Sequence, residues 1–214
     1  MIVTDSVGAY LERSRMPPDP VLAEMEAHAA RDRIPIVVSP TGQLLRVLAL
    51  ASRARRALEV GTAIGVSTLY IARGLAPGGS IVSFEVDPER HHAARRYLAR
   101  AGVGAQADLR LQDAREGIGS LEGMFDFAFV DGVKTQYGDY LEQLLPRLAP
   151  GAVLAVDNTL MSGAVAEGKG DGHWTDAQVA DASAFNERLL THPELVGTLT
   201  PVGDGVLVAV RRED

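Results

Sequence analysis

Two runs of aliphatic residues in this sequence each end abruptly on an aspartate. FAFVDGVK stops at Asp131, and VLAVDNTL stops at Asp157, with Asn158 directly after it. Aspartate is depleted in strands, and an unpaired carboxylate at the edge of an apolar core is costly. Either these residues form turns and helix caps, or they place several oxygen atoms at one edge of a sheet for a chemical purpose.

A glycine-containing turn upstream is a second chemical signal. In LEVGTAIGVS an apolar run ends at Val60, Gly61 and Gly65 follow, and a helix is expected to begin near Val66. In an open parallel sheet, ligands bind in the crevice beyond the carboxyl ends of the strands, and glycine lets the backbone approach them closely. The spacing E-x-G-x-x-x-G is not the G-x-G-x-x-G dinucleotide fingerprint, and a plain tight turn is the alternative interpretation.

An acid follows in a position suited to a sugar. Glu85 lies near the end of the next apolar run, SIVSFEV, and an acid there can accept hydrogen bonds from ribose hydroxyls. The alternative is a surface acid ahead of a helix that starts at Asp87 and Pro88. With the glycine turn upstream, the pattern predicts an adenosine-containing ligand without specifying which one.

Composition excludes several classes of protein and site. Hydrophobic residues make up 46% and charged residues 23% of the 214 residues, which is typical of a globular protein with a buried core. The absence of cysteine excludes disulfides, thiolate zinc sites and a cysteine nucleophile. A net charge of -7 argues against a nucleic-acid partner. No apolar run is long enough to span a membrane, no signal peptide is evident, and the expected location is cytoplasmic.

The order of apolar and helical segments predicts the fold class. From Gln43 onward, short apolar runs alternate with helical stretches, which is the rhythm of a parallel, doubly wound sheet. In the last third, two apolar runs joined by Gly203, Asp204 and Gly205 predict an antiparallel hairpin. We therefore predict an α/β fold: a Rossmann-like, mostly parallel sheet with a C-terminal antiparallel hairpin, helices on both faces and extra N-terminal helices. Residues 1–214 are expected to form one domain, with residues 1–40 as an N-terminal helical arm.

Several segments together resemble one family. The pattern is similar to the class I S-adenosylmethionine-dependent O-methyltransferases, and within them to the metal-dependent branch that includes the catechol and caffeoyl-CoA O-methyltransferases. The resemblance runs from Val37 to the C-terminus. It rests on the segments SPTGQLL, LEVGTAIGVS, FEVDPE, FVDGVK, AVDNTLMSG, FNERLL and PVGDGVLVAV.

The resemblance gives the two aspartate motifs a role. It implies that Asp131, Asp157 and Asn158 bind a divalent cation. Oxygen ligands of this kind suit magnesium, which is the expected metal, or manganese or calcium, and they suit copper and zinc poorly. The alternative interpretation is that these residues only cap loops and helices.

The resemblance also implies a cofactor site for S-adenosylmethionine. Glu85 is assigned to the ribose, Asp113 and Ala114 border the adenine, and Asp131 touches the methionine end as well as the metal. The implied cofactor-binding residues are Val37, Glu59, Gly61, Ser67, Glu85, Asp113, Ala114 and Asp131.

Lys134 is the implied general base, with Asp131 as the other catalytic residue. Lys134 lies three residues after Asp131, and a helical first turn would bring both side chains to the same side. In the resembling enzymes this lysine takes the proton of the acceptor hydroxyl, and partial burial beside a cation favours its neutral form. An exposed lysine paired with an acid is the alternative.

The acceptor is expected to be a small phenolic molecule with two vicinal hydroxyls. Met161 and Asp204 match acceptor-binding positions, and His173 and Trp174 are candidates near the mouth of the pocket. Val133 replaces a bulky aromatic residue of the animal catechol enzymes, so the wall beside the acceptor ring should be more open. The N-terminal arm has no basic cluster for a coenzyme A tail, which argues against a caffeoyl-CoA substrate.

Two other functions remain open from sequence alone. A nicotinamide-dependent oxidoreductase would also use a glycine turn and a ribose-binding acid, but the fingerprint and a Tyr-x-x-x-Lys relay are missing. A non-catalytic nucleotide-binding scaffold gives no reason for Asp131, Lys134, Asp157 and Asn158 to occur together. The resemblance favours a homodimer.

Overall fold

The computed structural model describes residues 4–213, so residues 1–3 of the predicted arm and the last residue of the predicted domain lie outside it. In that range, none of the helices has both the length and the apolar character required to cross a lipid bilayer. The α-helices are α1 (Asp5–Ser14), α2 (Pro20–Asp32), α3 (Ser39–Ala51), α4 (Val66–Ala72), α5 (Pro88–Arg100), α6 (Ala114–Gly117), α7 (Tyr137–Leu144), α8 (Ala164–Glu167) and α9 (Asp176–Leu190).

The strands form one mixed sheet in the order β3-β2-β1-β4-β5-β7-β6. The first five strands in this order are parallel, and β7 pairs antiparallel with both β5 and β6. This confirms the predicted parallel sheet with a C-terminal antiparallel hairpin. The strands are β1 (Arg56–Val60), β2 (Ser80–Glu85), β3 (Ala107–Leu111), β4 (Phe125–Val130), β5 (Leu148–Val156), β6 (Leu195–Thr200) and β7 (Val206–Arg211).

The strand order reverses beside β1. The chain runs outward from β1 through β2 to β3, and then returns to the other side of β1 as β4 and β5. At such a switch point the connections leave in opposite directions and open a crevice beyond the carboxyl ends of the strands. The predicted ligand position is therefore the crevice beyond β1 and β4.

Side chains of the central strands alternate between two buried clusters, one on each face of the sheet. Phe127 and Phe129 of β4 enter the cluster that includes α2, α3, α4 and α5, whereas Ala128 and Val130 enter the cluster that includes α6, α7 and α9. Helices on both faces are thus confirmed. Strands buried on both faces read as near-continuous apolar runs, which is why the sequence indicated them clearly.

Asp19 determines where α2 begins. Its Oδ1 accepts hydrogen bonds from the backbone N–H groups of Val21 at 3.0 Å and Leu22 at 3.2 Å, and Pro20 occupies the first helical position. Its Oδ2 lies 2.6 Å from Nη1 of Arg73, just beyond α4. Because this contact and buried residues of α2 join the helix to the main core, α2 is part of the body of the fold.

Candidate active site

A cavity of about 660 Å³ lies at the carboxyl ends of the parallel strands. Its volume is in the range of small-molecule sites. Each of the five parallel strands delivers a residue to it: Gly61 after β1, Glu85 at the end of β2, Asp113 after β3, Asp131 after β4 and Asp157 after β5. The fold therefore brings together groups that are up to 96 residues apart in the sequence, counted from 61 to 157.

Gly61 allows the ends of β1 and β4 to lie unusually close. Its φ is +93°, and a Cβ at this position would collide with the backbone carbonyl of Asp131. The next turn residue, Ala63, also has a positive φ of 46°, and its N–H donates to Oε2 of Glu85 at 2.7 Å. The glycine turn therefore positions the ends of β1, β2 and β4 against one another.

Glu85 is held rigidly at the edge of the cavity. In addition to the bond from Ala63, its Oε1 accepts from the backbone N–H groups of Val86 and Asp87, both at 2.9 Å. A carboxylate offers about four acceptor positions. Three of them are used, so Glu85 has capacity for about one more hydrogen bond from a ligand in this arrangement.

Glu59 lies beneath the cavity and does not line it. The side chain is fully buried, and its Oε2 accepts hydrogen bonds from Oγ1 of Thr68 and, at 2.6 Å, from Oγ of Ser83. Its Oε1 has no hydrogen-bond partner in the described part of the chain. Burial raises the pKa of Glu59 to about 7, although the neighbouring hydroxyl groups of Ser67, Ser83 and Thr68 oppose the shift. Ser67 itself lines the cavity.

Lys134 and Asp131 meet as expected, but not through a shared helical turn. Nζ of Lys134 lies 2.7 Å from Oδ1 of Asp131. Val133 between them is extended, and Lys134 begins a separate 3₁₀ turn. Desolvation by the surrounding protein raises the pKa of Asp131, whereas the charge of Lys134 and its hydrogen bond lower it. About a quarter (24%) of the Asp131 side chain is still accessible, and the residue lines the cavity.

Asp157 and Asn158 occupy a segment with an unusual backbone. Asn158 has a φ of +58°, and its N–H donates to Oδ1 of Asp157 at 2.8 Å. Nδ2 of Asn158 donates to Oδ2 of Asp204 at 3.4 Å, which leaves the amide oxygen available. Oδ1 of Asp204 also accepts from Oγ of Ser162 at 2.6 Å. The turn of the terminal hairpin therefore orients the Asn158 amide.

Negative charge is concentrated on this side of the cavity. Burial is the main cause that raises the pKa of Asp157, and the Asp131 carboxylate raises it further. Asp204 also raises the pKa of both Asp131 and Asp157, whereas the positive charge of Lys134 lowers the pKa of both. Among residues 4–213, no three His, Cys, Asp or Glu side chains gather into a metal-binding group. The candidate ligand set has two carboxylates and an amide.

The other predicted residues have different surroundings. Val37 and Ala114 line the cavity, as does Asp113, whose carboxylate caps α6 and lies 2.8 Å from Nη2 of Arg115. Met161 is almost fully buried and is not among the lining residues. It packs in a small cluster next to Trp174.

Sequence reasoning missed several lining residues and left His173 and Trp174 as weak candidates. Both line the cavity, with their rings edge to face at 4.7 Å. Oδ1 of Asp171 accepts hydrogen bonds from the backbone N–H groups of both residues at 2.9 Å. Residues 171–174 therefore form a defined turn. Arg90 and Gln112 also line the cavity. Gln112 directly precedes the predicted Asp113, which is the one signal that could have indicated it.

Comparisons with known proteins show the family of this chain. A family model described as O-methyltransferase matches residues 12–212. A catechol O-methyltransferase from Mycobacterium tuberculosis is 33% identical over 217 residues, covering 96% of this chain and 95% of that protein. Another, from Niastella koreensis, is 32% identical and covers 90% of each. The solved O-methyltransferase from Bacillus cereus in complex with SAH has a TM-score of 0.85 at 29% identity, covering 97% of both chains.

An open sheet with a glycine turn and a strand-end acid at its switch point is a Rossmann-like architecture, and the solved O-methyltransferase from Bacillus cereus has the same fold. The chain belongs to the O-methyltransferase family. Its resemblance to the class I S-adenosylmethionine-dependent O-methyltransferases is confirmed, and the protein is a methyltransferase enzyme. This decides against a nicotinamide-dependent oxidoreductase and against a non-catalytic scaffold.

Proposed function

We propose that this enzyme transfers the methyl group of S-adenosylmethionine to one hydroxyl of a vicinal diphenol, with a divalent cation and a lysine base. The observation that carries the proposal is the grouping of Asp131, Lys134, Asp157 and Asn158 on one side of a cavity that Gly61 and Glu85 reach from the other strands. Two relatives called catechol O-methyltransferase support this acceptor class.

The cofactor half of the site uses the strand ends. Glu85 binds the ribose, and Asp113 and Ala114 lie beside the adenine. Ser67 binds the methionine end directly, and Glu59 supports it from beneath, because Glu59 is buried with three hydroxyl groups around it. Val37 and Gly61 complete the lining. S-adenosylmethionine supplies a methyl group on a positively charged sulfur.

Asp131, Asp157 and Asn158 are the proposed cation ligands. Three observations support the fit: both carboxylates are largely removed from solvent, Asp131 raises the pKa of Asp157, and the Asn158 amide donates a hydrogen bond to Asp204 and not to Asp131 or Asp157. Hard oxygen donors suit magnesium best, with manganese and calcium as alternatives. A cation held by these three side chains would supply positive charge that favours the ionised form of the acceptor hydroxyl.

Lys134 is the proposed base. Its Nζ lies 2.7 Å from Oδ1 of Asp131, and the neutral amine is the form that can accept a proton from the acceptor. As the new O–C bond forms, the C–S bond of the donor breaks and its electron pair stays on the sulfur, which leaves as a neutral thioether. Lys134 takes the hydroxyl proton. Alignment of the reacting atoms supplies much of the remaining rate enhancement.

The acceptor occupies the side of the cavity near the terminal hairpin. Asp204 borders it, and Met161 acts indirectly, by supporting Trp174 from the buried cluster. Val133 is 54% exposed, which leaves this wall open to substituted rings. The acceptor is therefore a vicinal diphenol whose ring carries further substituents.

Methyl transfer to matched diphenols and monophenols, with magnesium and then with EDTA, tests the proposal. Transfer to diphenols alone, abolished by EDTA and restored by magnesium, is the expected result. Metal-independent transfer to monophenols would overturn the roles of the three ligands while leaving the cofactor site intact. Isothermal titration of SAH in EDTA checks that the cofactor half is functional in both cases.

We propose further that residues 1–214 form one methyltransferase domain, that the protein is cytoplasmic, and that it works as a homodimer. Val196 and Val210 pair directly on the terminal hairpin and are 57% and 40% exposed. A symmetric dimer can cover such an apolar surface with its own copy. A Val196→Asp, Val210→Asp variant should run as a monomer in sedimentation velocity, and an unchanged sedimentation coefficient relative to a dimeric wild type would contradict this interface.

A further inference from the structure

Asn186 of α9 makes an isolated polar contact in a buried environment. The residue is 5% accessible, and its Nδ2 donates to the backbone carbonyl of Thr159 at 2.7 Å. Its Oδ1 and Oγ1 of Thr159 are buried without hydrogen-bond partners in the part of the chain that the structure describes. Burial of polar atoms that are not fully hydrogen-bonded costs free energy. A buried polar contact that is kept despite this cost is a candidate for a functional role.

Thr159 directly follows the two proposed cation ligands of β5. Several backbone atoms of residues 157–159 are held by hydrogen bonds. The carbonyl of Asp157 accepts from the hydroxyl of Tyr137 at 3.1 Å, and the N–H of Thr159 donates to the carbonyl of Gly205 at 2.9 Å. Asn186 holds the carbonyl of Thr159, so each end of this residue is fixed by a different part of the fold.

The contact between Asn186 and Thr159 is one residue along the chain from Asn158, whose backbone has a positive φ. Asn158 has a φ of +58°, in a region that costs free energy for any residue with a side chain and persists only where the surroundings enforce it. The peptide group after Thr159 is held at its carbonyl by Asn186 and at its N–H, from Leu160, by the carbonyl of Asp204 at 3.1 Å. Loss of the Asn186 contact frees the Thr159 carbonyl and so removes one of the restraints on the segment that keeps Asn158 at a positive φ.

We propose that Asn186 is a positioning residue for the cation site: its amide holds the carbonyl of Thr159 and thereby keeps Asp157 and Asn158 in the arrangement that binds the cation. The inference rests on the proposed function, because it concerns the same cation. It assigns a role to α9, which otherwise packs through apolar residues: Leu189 in the cluster on the sheet and Val179 in the small cluster with Met161.

Direct binding of Mn²⁺ to the full chain, followed by electron paramagnetic resonance of the free ion, tests this role without relying on turnover. Asn186→Leu keeps a similar volume and removes the donor. Mutation of residues that orient metal ligands typically costs about 10- to 100-fold in metal affinity, and we expect a loss of about tenfold. The magnesium concentration for half-maximal activity should rise by the same factor, and saturating magnesium should restore most of kcat. SAH affinity in EDTA should be unchanged.

Leu189→Val is the matched control, because Leu189 is fully buried on the same helix and packs in the apolar cluster on the sheet. It should lower Tm while leaving Mn²⁺ affinity unchanged. If Asn186→Leu does not fold, Asn186→Ser, whose hydroxyl is too short to reach Thr159, carries the same expectation.

The outcomes separate the two proposals. A wild-type chain that binds no Mn²⁺ overturns both the cation site and the role of Asn186. Wild-type binding with an equal affinity in the Asn186 variants overturns the positioning role alone. An equal loss in Leu189→Val would also overturn it, since the effect would then follow from stability alone.

Discussion

Nζ of Lys134 lies 2.7 Å from Oδ1 of Asp131, so the proposed base and one of the proposed cation ligands form an ion pair. The same ammonium is 3.2 Å from the carbonyl oxygen of Gly132 and 5.5 Å from the centroid of the Tyr137 ring. A cation at Asp131 and the ammonium of Lys134 therefore compete for one carboxylate.

This competition predicts opposite effects of Lys134→Ala on catalysis and on metal binding. Loss of a general base typically lowers the rate by about 10²- to 10⁴-fold, and we expect kcat to fall in this range. Mn²⁺ affinity should stay the same or increase, because a positive charge beside Asp131 has been removed. Lys169→Ala, at an exposed lysine, is the control and should change neither. A parallel fall in SAH affinity would indicate a structural role for Lys134.

Asp157→Asn should stabilise the protein while it abolishes metal-dependent activity. Burial and the nearby Asp131 raise the pKa of Asp157, so the ionised carboxylate destabilises the fold. A neutral amide removes this penalty and can still accept the hydrogen bond from the N–H of Asn158. A gain of about 1 kcal/mol would raise Tm by about 2–4 °C for a chain of this size.

Differential scanning calorimetry in EDTA measures that shift. Asp181→Asn, at an exposed position of α9, controls for the change in net charge. A lower Tm in Asp157→Asn would show that the carboxylate is stabilising in the metal-free fold and would contradict the pKa argument.

Glu59 should make cofactor binding depend on pH. Its pKa is raised to about 7 from an ordinary value of 4.5, so the buried carboxyl is protonated in mildly acidic solution. Binding of the positively charged amino group of the methionine end favours the ionised form. SAH affinity should therefore increase as pH rises toward about 7, by at most about tenfold per pH unit, and should level off above it.

The same group affects stability with the opposite trend. Between pH 4.5 and about 7 the folded protein retains a proton that the unfolded chain releases, so stability falls as pH rises through this window. Glu59→Gln should flatten the pH dependence of SAH binding in calorimetric titrations and reduce that of Tm. An unchanged binding profile would place the titrating group elsewhere.

Trp174→Ala should weaken acceptor binding selectively. The ring lines the cavity and is anchored on the cluster that contains Met161. Contacts between aromatic rings contribute about 0.5–1.5 kcal/mol beyond the area they bury, so we expect KM for a diphenol to rise up to about tenfold. SAH affinity should be unchanged. His173→Ala leaves the indole in place and should have the smaller effect, and an equal KM in wild type and Trp174→Ala would remove Trp174 from the acceptor site.

Most of the fold could be predicted because strands buried on both faces give continuous apolar runs. The hairpin was also predictable from its turn at Gly203, Asp204 and Gly205. The position of β7 between β5 and β6 was not, because local patterns do not specify which edge a hairpin uses. Periodicity likewise suggested a helical turn between Asp131 and Lys134, whereas Val133 is extended.

The site was predictable to the extent that its residues end strands. Strand ends converge by topology, so Gly61, Glu85, Asp131 and Asp157 could be placed before the structure was known. Glu59 was expected in direct contact with the cofactor, but alternation along β1 directs it beneath the cavity. Asn186 lies on a distant helix, and its contact with Thr159 depends on the tertiary packing of α9, which has no signature in sequence spacing.

The position of β7 also has a consequence for biosynthesis. The strand inserts between β5 and β6, yet it is the last of the three to leave the ribosome. Until then, the edge of β5 is unpaired and open to association with other chains. Asp204 precedes β7 in the same hairpin and orients the amide of Asn158. A nascent chain therefore gains its completed sheet and its proposed cation site in the same late step, and products that stop before β7 should be both inactive and prone to aggregate.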